Sequence, residues 1–501
     1  MFRRQSPLLT VKNLINGKWT TTERVNHIIN PLNGKLMIKV ANTQLKELEP
    51  FIKSFNNTPK GGLHNPLKNV ERYRLYGEIS AKMAHELKRP DVESYLSDLI
   101  MKVIPKNKEQ AIGEIKVCQK FFENFSGDSI RFHMNSKSVA GDYYGQESKS
   151  YLFPYGPVVI IAPFNFPLEI PLLQMMGALY TGNRPTLKVD SKVSIVMQEV
   201  IKLLNYCGMP LQDVDLINCS GNTMNKFLLE TKPPMTQFTG SSKIANKLAK
   251  ELEGRIKIED AGFGWKILGP DYKPEYFEHV MKTCDNDAYN SSGQKCSAQS
   301  ILFVHKNWNP ENVYTKLWYL AKQRNIKDLT IGPTLSIRNN KIKEHIENLL
   351  KINGSFVLFG NNEIENHTIP ECYGSYMPTA IYIPFNKIGE NFELVTKEIF
   401  GPFQIITTYD DKDIQKLLEY LKKLDHQLTG AIVSNDIAFQ QKILSNTITG
   451  TTYCGIRART TGAPQNHWFG PSGDPRSAGI GTPEAIKLVW TSHREIINDF
   501  F

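Results

Sequence analysis

Cys296 is the residue around which chemistry would gather. It lies in the stretch Asn290–Ser300, among serines, glutamines and Gly293, with Lys295 beside the thiol. A structural cysteine sits among apolar neighbours, whereas a nucleophilic one wants partial exposure and an electropositive setting that favours thiolate. This loop reads as the second kind, and Gly293 lets the backbone bend tightly before the thiol. Further unusual residues stand at the ends of apolar runs: Pro163–Pro167 with Asn165 at its centre, Lys188 and Asp190, Gly240 and Ser241, and Glu259. Gly240-Ser241-Ser242 opening a helix would offer free N–H groups and a capping hydroxyl, a setting suited to a pyrophosphate. Lys188 and Asp190 would then hydrogen-bond ribose hydroxyls. No G-x-G-x-x-G run is present, so a plain dinucleotide fingerprint is missing.

The elements that must hold these groups follow from the pattern of apolar residues. The spacing predicts strands over 157–162, 184–189, 214–218, 235–239 and 255–259, and helices near 170–181, 192–206, 223–231 and 242–253. Strands and helices alternating in this way imply a parallel, doubly wound sheet, with ligands at the carboxyl ends of its strands. A second alternating region runs from about 273 to 445, with strands near 300–304 and 430–433. Earlier, 66–88 and 91–103 have helical spacing, and 136–153 reads as a hairpin around Gly141-Asp142. In the tail, Ile486, Leu488 and Trp490 alternate with polar or small residues as a strand would.

Length and composition narrow the class. The 501 residues are 41% hydrophobic and 22% charged, ordinary for a globular chain of two large lobes and an appendage. Seven cysteines without a C-x-x-C pair argue against a disulfide scaffold or zinc site and for a reducing compartment. The net charge of +10 is spread among acids, as in Lys247–Glu253, so it does not point to nucleic acid. The segment Val158–Tyr180 is apolar and long enough to span a bilayer, but Pro163, Asn165, Pro167, Glu169 and Pro171 make it a strand, a loop and a helix instead. The first acid is Glu23; the basic start fits either a mitochondrial presequence or a disordered tail.

Taken together, Pro163-Phe-Asn-Phe-Pro167, Gly182-Asn183 with Lys188, Phe238-Thr-Gly-Ser241, Glu259, Gly293-Gln-Lys-Cys296 and Glu398-Ile-Phe-Gly-Pro402 resemble the aldehyde dehydrogenase superfamily in order and spacing. The similarity runs from about Ile15 to Asn498. Longer strings, Ser292–Ser300 and Thr460–Pro471 among them, resemble its plant-type Δ1-pyrroline-5-carboxylate dehydrogenases. The resemblance implies an α/β fold with a Rossmann-like cofactor domain (1–135 and 154–270), a catalytic domain (271–445) and a small β oligomerisation flap (136–153 and 472–501). Residues 446–471 would return to the cofactor domain and carry a substrate anchor loop.

It also implies roles. Cys296 would be the nucleophile, Glu259 the base for water, and Asn165 with the Cys296 N–H the oxyanion site. Ala162, Pro163, Phe164, Lys188, Asp190, Gly240, Ser241, Glu398 and Phe400 would hold NAD, with Asp190 repelling the 2′-phosphate of NADP. Phe166, Ser297, Gly450 and Thr451 would bind the substrate, L-glutamate γ-semialdehyde, which becomes glutamate in proline breakdown. No metal is implied. Two departures stand out: Asp260-Ala-Gly replaces the usual Leu-Gly-Gly after the glutamate, and Gln174 stands where many relatives have a relay lysine. The resemblance further implies a homodimer or tetramer, and the basic start points to the mitochondrial matrix, otherwise the cytoplasm. A dehydrogenase of another semialdehyde, or an idle member kept for binding, are the alternatives.

Overall fold

Pro157–Ala162 reads Pro-Val-Val-Ile-Ile-Ala without polar alternation, as a strand covered on both faces must. In the computed structural model, which describes residues 9–260, 262–425, 427–462 and 468–500, it lies in the middle of a seven-stranded sheet. The order is Ile256–Asp260, Thr236–Gly240, Pro157–Ala162, Arg184–Val189, Asp215–Leu216, Asn13–Ile15 and Lys18–Thr20. The first five strands run parallel and the N-terminal hairpin closes the edge antiparallel. Between them stand the helices Glu169–Tyr180, Ser194–Tyr206, Gly221–Thr231 and Ser242–Glu251. Glu169–Tyr180 is apolar around its circumference and all but its first residue is buried, which is why its stretch resembles a membrane span. Among the described residues no helix is long and apolar enough to cross a membrane.

A second seven-stranded sheet is ordered Phe356–Phe359, Thr379–Tyr382, Phe403–Tyr409, Gln299–His305, Gly264–Leu268, Thr429–Val433 and Thr451–Cys454. Only its first strand is antiparallel. Its membership moves the expected boundaries. Gly264–Leu268 already belongs to it, before the division expected at 270. Thr451–Cys454 extends it as well, although 446–471 was assigned to the cofactor domain. Both shifts have one cause: the strand pairing, invisible in local periodicity, decides which core a segment joins.

The expected hairpin is present as Lys137–Ala140 and Gln146–Pro154, and a third strand, Thr491–Asp499, covers the long one over nine residue pairs. The tail differs from the expectation at 486–490. Pro483–Trp490 is a helix capped by the Thr482 hydroxyl, with Ala485, Ile486, Val489 and Trp490 buried. These four residues fit a helical stripe, and the alternation read there was too short to distinguish the two periods. Residues 1–8 of the possible presequence and 463–467 of the Thr460–Pro471 string lie outside the described residues.

Candidate active site

The loop before Cys296 is bent by three successive residues in left-handed backbone, Ser291 and Ser292 (φ 55° each) and Gly293 (φ 67°). Two serines held this way cost about 1–3 kcal/mol each and need fixing from outside. The Ser291 hydroxyl donates to the Gln110 side chain (2.9 Å); Ser292 Oγ donates to the Gly332 carbonyl (3.0 Å) and accepts its N–H (2.8 Å). Gly293 passes so close to Gly401 that a Cβ would lie 2.0 Å from its carbonyl oxygen. The bend expected at Gly293 is there, spread over two serines as well.

Cys296 Sγ donates to Glu259 Oε1 at 3.2 Å, joining the end of one sheet to the loop of the other. Glu259 is buried, and its Oε2 has no partner among the described residues. Burial pushes this carboxyl up to about 7, against the pull of the Cys296 thiol. The thiol itself is raised well above its ordinary value by burial and by the charges of Glu259, Glu398 and Glu169. Lys295 next to it in sequence does not offset this, and burial and the neighbouring acids favour the neutral thiol over the thiolate expected there. Gly262 explains the tight junction, since a Cβ there would sit 1.8 Å from the Cys296 carbonyl oxygen. Its N–H donates to Glu398 Oε1 (3.1 Å), and burial lifts Glu398 to about 8 while that hydrogen bond opposes the shift. Ala261, within the Glu259–Gly262 departure, lies outside the described residues.

Asn165 is buried, and among the described residues its side-chain amide makes no hydrogen bond. Its carbonyl accepts from Lys106 Nζ (3.2 Å), which also pairs with Glu114 (3.0 Å) and lies 5.0 Å over the Phe166 ring. The other Glu114 oxygen accepts the N–H groups of Leu168 and Glu169 (2.8 and 3.0 Å). A glutamate from the helix Lys108–Asn124 thus caps Glu169–Tyr180, the helix that follows Asn165. Lys106 and Glu114 were not singled out from the sequence; nothing local marks a pair whose backbone partners lie more than fifty positions away.

The expected cofactor residues collect at the carboxyl ends of three adjacent strands. Ala162 is buried at the end of its strand, and Pro163 leads to Phe164, whose ring meets Phe400 edge-on at 6.1 Å. Lys188 lies near the end of the next strand and Asp190 just after it, and Asp190 pairs with Lys192 (3.3 Å), whose Nζ lies 5.6 Å over Phe164. Gly240 ends the third, and Ser241 takes the N-cap position of Ser242–Glu251 with extended backbone. Its hydroxyl makes no capping bond, contrary to expectation. The donor set fits a dinucleotide: an N-terminus of a ten-residue helix for anionic oxygens, and lysine and carboxylate groups for hydroxyls.

Beside Cys296 opens a cavity of about 260 Å³. Phe166 and Ser297 line it as expected, together with Glu169, Lys295, Thr461 and Gly462. Gly450 and Thr451 do not. Their N–H groups donate to the Gln427 and Leu428 carbonyls (2.8 and 2.9 Å), the latter as part of a strand, so they are spent on the second sheet. Thr461 and Gly462 occupy the place assigned to that loop. Asp287 fixes them, accepting from Thr460 N–H (2.7 Å) and the Thr461 hydroxyl (3.2 Å) while it pairs with buried Lys266 (2.6 Å). The Thr460-Thr-Gly string was the available signal, and it lay eleven residues further on than the loop assigned.

The architecture is that of two-lobed α/β proteins whose ligand crevice opens at the carboxyl ends of a parallel sheet. More narrowly, the chain belongs to the aldehyde dehydrogenase family, whose model matches residues 19–478, and is an oxidoreductase. Among curated proteins it is 55% identical to the mitochondrial delta-1-pyrroline-5-carboxylate dehydrogenase 12A1 of Arabidopsis thaliana, over 98% of this chain and 88% of that one. It is also 55% identical to a probable aldehyde dehydrogenase of Linum usitatissimum, covering 98% and 89%. Of solved structures, betaine aldehyde dehydrogenase from Staphylococcus aureus in complex with NAD+ superimposes with a TM-score of 0.83 at 20% identity, covering 98% of each chain.

Proposed function

We propose that this protein oxidises L-glutamate γ-semialdehyde, the open form of Δ1-pyrroline-5-carboxylate, to L-glutamate in proline breakdown, with NAD+ as the oxidant. The observation that carries the reading is the Cys296–Glu259 hydrogen bond beside a cavity, in a chain so similar to the Arabidopsis enzyme named for this substrate.

Cys296 gives its proton to Glu259, whose raised affinity for protons suits it to accept one near neutrality. The sulfur then bonds to the aldehyde carbon, giving a thiohemiacetal. The Asn165 amide, held by Lys106 through its carbonyl, and the Cys296 N–H stabilise the oxyanion. Bound NAD+ supplies a hydride acceptor, and loss of hydride leaves a thioester on Cys296. Glu259, having passed the thiol's proton to solvent, then takes one from water at its unpartnered Oε2; the hydroxide displaces the sulfur as the acid forms, and Glu259 returns the proton to restore the thiol. Gln174 is buried and cannot carry a proton, so the relay rests on Glu259.

Pro163, Phe164, Glu398 and Phe400 would hold the nicotinamide end of the cofactor, Lys188 and Asp190 the adenosine ribose, and Gly240 and Ser241 the pyrophosphate. Phe166 would pack on the aliphatic middle of the substrate, and Ser297 with the Thr461–Gly462 loop would receive its α-carboxylate. Residues 264–454 form the catalytic unit and the first sheet the cofactor unit. The three-stranded flap joins two copies of the chain. The location is mitochondrial, as the Arabidopsis relative's name suggests, and within the organelle the matrix. NAD+ reduction measured with pyrroline-5-carboxylate, succinic semialdehyde and simple aliphatic aldehydes tests the substrate. The first should exceed the others by at least tenfold in kcat/KM; equal or lower turnover of it would overturn the reading.

A further inference from the structure

Four charged side chains line the cavity beside Cys296: Lys106, Glu114, Glu169 and Lys295. Two of them are spent on each other and on the backbone. Lys106 pairs with Glu114 and bonds the Asn165 carbonyl, and both Glu114 oxygens are used. The other two are not. Among the described residues neither Glu169 nor Lys295 makes a hydrogen bond or ion pair through its side chain, and they do not pair with one another. One unpaired acid and one unpaired base in a single cavity are electrically balanced without touching. Such an arrangement is costly when empty and complementary to a ligand that carries both charges. Burial works against the charged form of each, raising Glu169 to about 8 and lowering Lys295 to about 8.

Building on the substrate reading above, we propose that Glu169 is a specificity residue that accepts hydrogen bonds from the α-ammonium of the substrate, with Lys295 as the opposing pole for its α-carboxylate. The cavity then selects aldehydes bearing an L-α-amino acid head over simple semialdehyde acids. Glu169 is suited to the task because the preceding turn is immobilised: its own N–H is held by Glu114, and Phe166 is packed under Lys106. An acid in the first turn of a helix is also favoured by the helix dipole, but that role does not require it to line the cavity without a partner.

The test compares two aldehydes of equal length, L-glutamate γ-semialdehyde and 5-oxopentanoate, which lacks only the amine. The unaltered full-length protein should prefer the first in kcat/KM, and Glu169→Gln should shrink that preference about 10- to 100-fold, the range for losing a charge-assisted bond. Glu169→Asp should restore part of it. Competition by L-glutamate against glutarate, read as inhibition constants, should move the same way in both variants. A preference unchanged within about twofold in Glu169→Gln overturns the proposal while leaving the substrate reading intact. An unaltered protein that binds glutarate as tightly as L-glutamate overturns it whether or not the variants fold. Failure to oxidise the amino aldehyde at all, with turnover of 5-oxopentanoate, would instead sink the substrate reading.

Discussion

Cys296 Sγ donates to Glu259 Oε1, and burial with the charge of that acid raises the thiol well above its ordinary value, so the resting group is a neutral thiol hydrogen-bonded to a carboxylate rather than a standing thiolate. Attack then begins with proton transfer to Glu259, and the same residue serves both halves of the reaction. Cys296→Ser should retain NAD+ binding, read by titration, and lose all but a few per cent of turnover. Glu259→Gln should slow acylation and form at most one NADH per site before stalling as thioester, read as a burst in stopped flow. Because burial raises Glu259 to about 7, its anion is present above that pH. Thioester hydrolysis should therefore fall about tenfold per unit below pH 7 and level off above it. The same shift has a stability consequence of defined sign. The folded protein holds this proton up to about 7 and the unfolded chain only to 4.5, so the anion's full cost to folding appears above 7. Glu259→Gln should gain thermal stability relative to the unaltered protein at pH 8 and lose that advantage by pH 4.

The helix Glu169–Tyr180 supports the site from beneath, and Glu114 ties it down. This glutamate accepts two N–H groups at the helix start and neutralises Lys106, which in turn holds the Asn165 carbonyl. Removing one partner of a buried pair leaves the other charge uncompensated, at a cost of about 3–5 kcal/mol. Glu114→Ala should lose stability on that scale in urea unfolding, and kcat should fall as well because the Asn165 turn loosens. If kcat stays unchanged while stability drops, the Lys106–Glu114 pair supports the fold without aligning the oxyanion site.

For the assembled protein, the flap poses the main question. Its tail strand pairs within the chain, which satisfies one edge of the hairpin and leaves Lys137–Ala140 exposed at the other. Val139 on that edge, Tyr143 and Tyr144 in the turn and Ile497 on the tail strand are exposed, an unusual apolar load for a small sheet whose edges natural proteins keep covered or charged. Light scattering at micromolar protein should give a dimer or tetramer of the 57.0 kDa chain, and deletion of 138–152 should release monomers. A particle near the monomer mass would sink that expectation.

Where information is local, the chain could be read directly, as in the strands and the residues that end them. The strands Pro157–Ala162 and Arg184–Val189 fall where unbroken apolar runs place them; Asn165 and Glu259 stand at the ends of such runs, and Cys296 meets Glu259 from its polar loop. Residue types and turn chemistry act over a few positions, so spacing carries them. Other features depend on segments that meet only after folding. Strand pairing assigns Gly264–Leu268 and Thr451–Cys454 to the second sheet, and thereby consumes the Gly450 and Thr451 N–H groups that seemed free for substrate. Trp490 turns inward on a helix because a core awaits it. The charge around Cys296 was misread for the same reason: electrostatic fields add over everything nearby in space, and Glu169, Glu259 and Glu398 reach the sulfur from three distant parts of the chain.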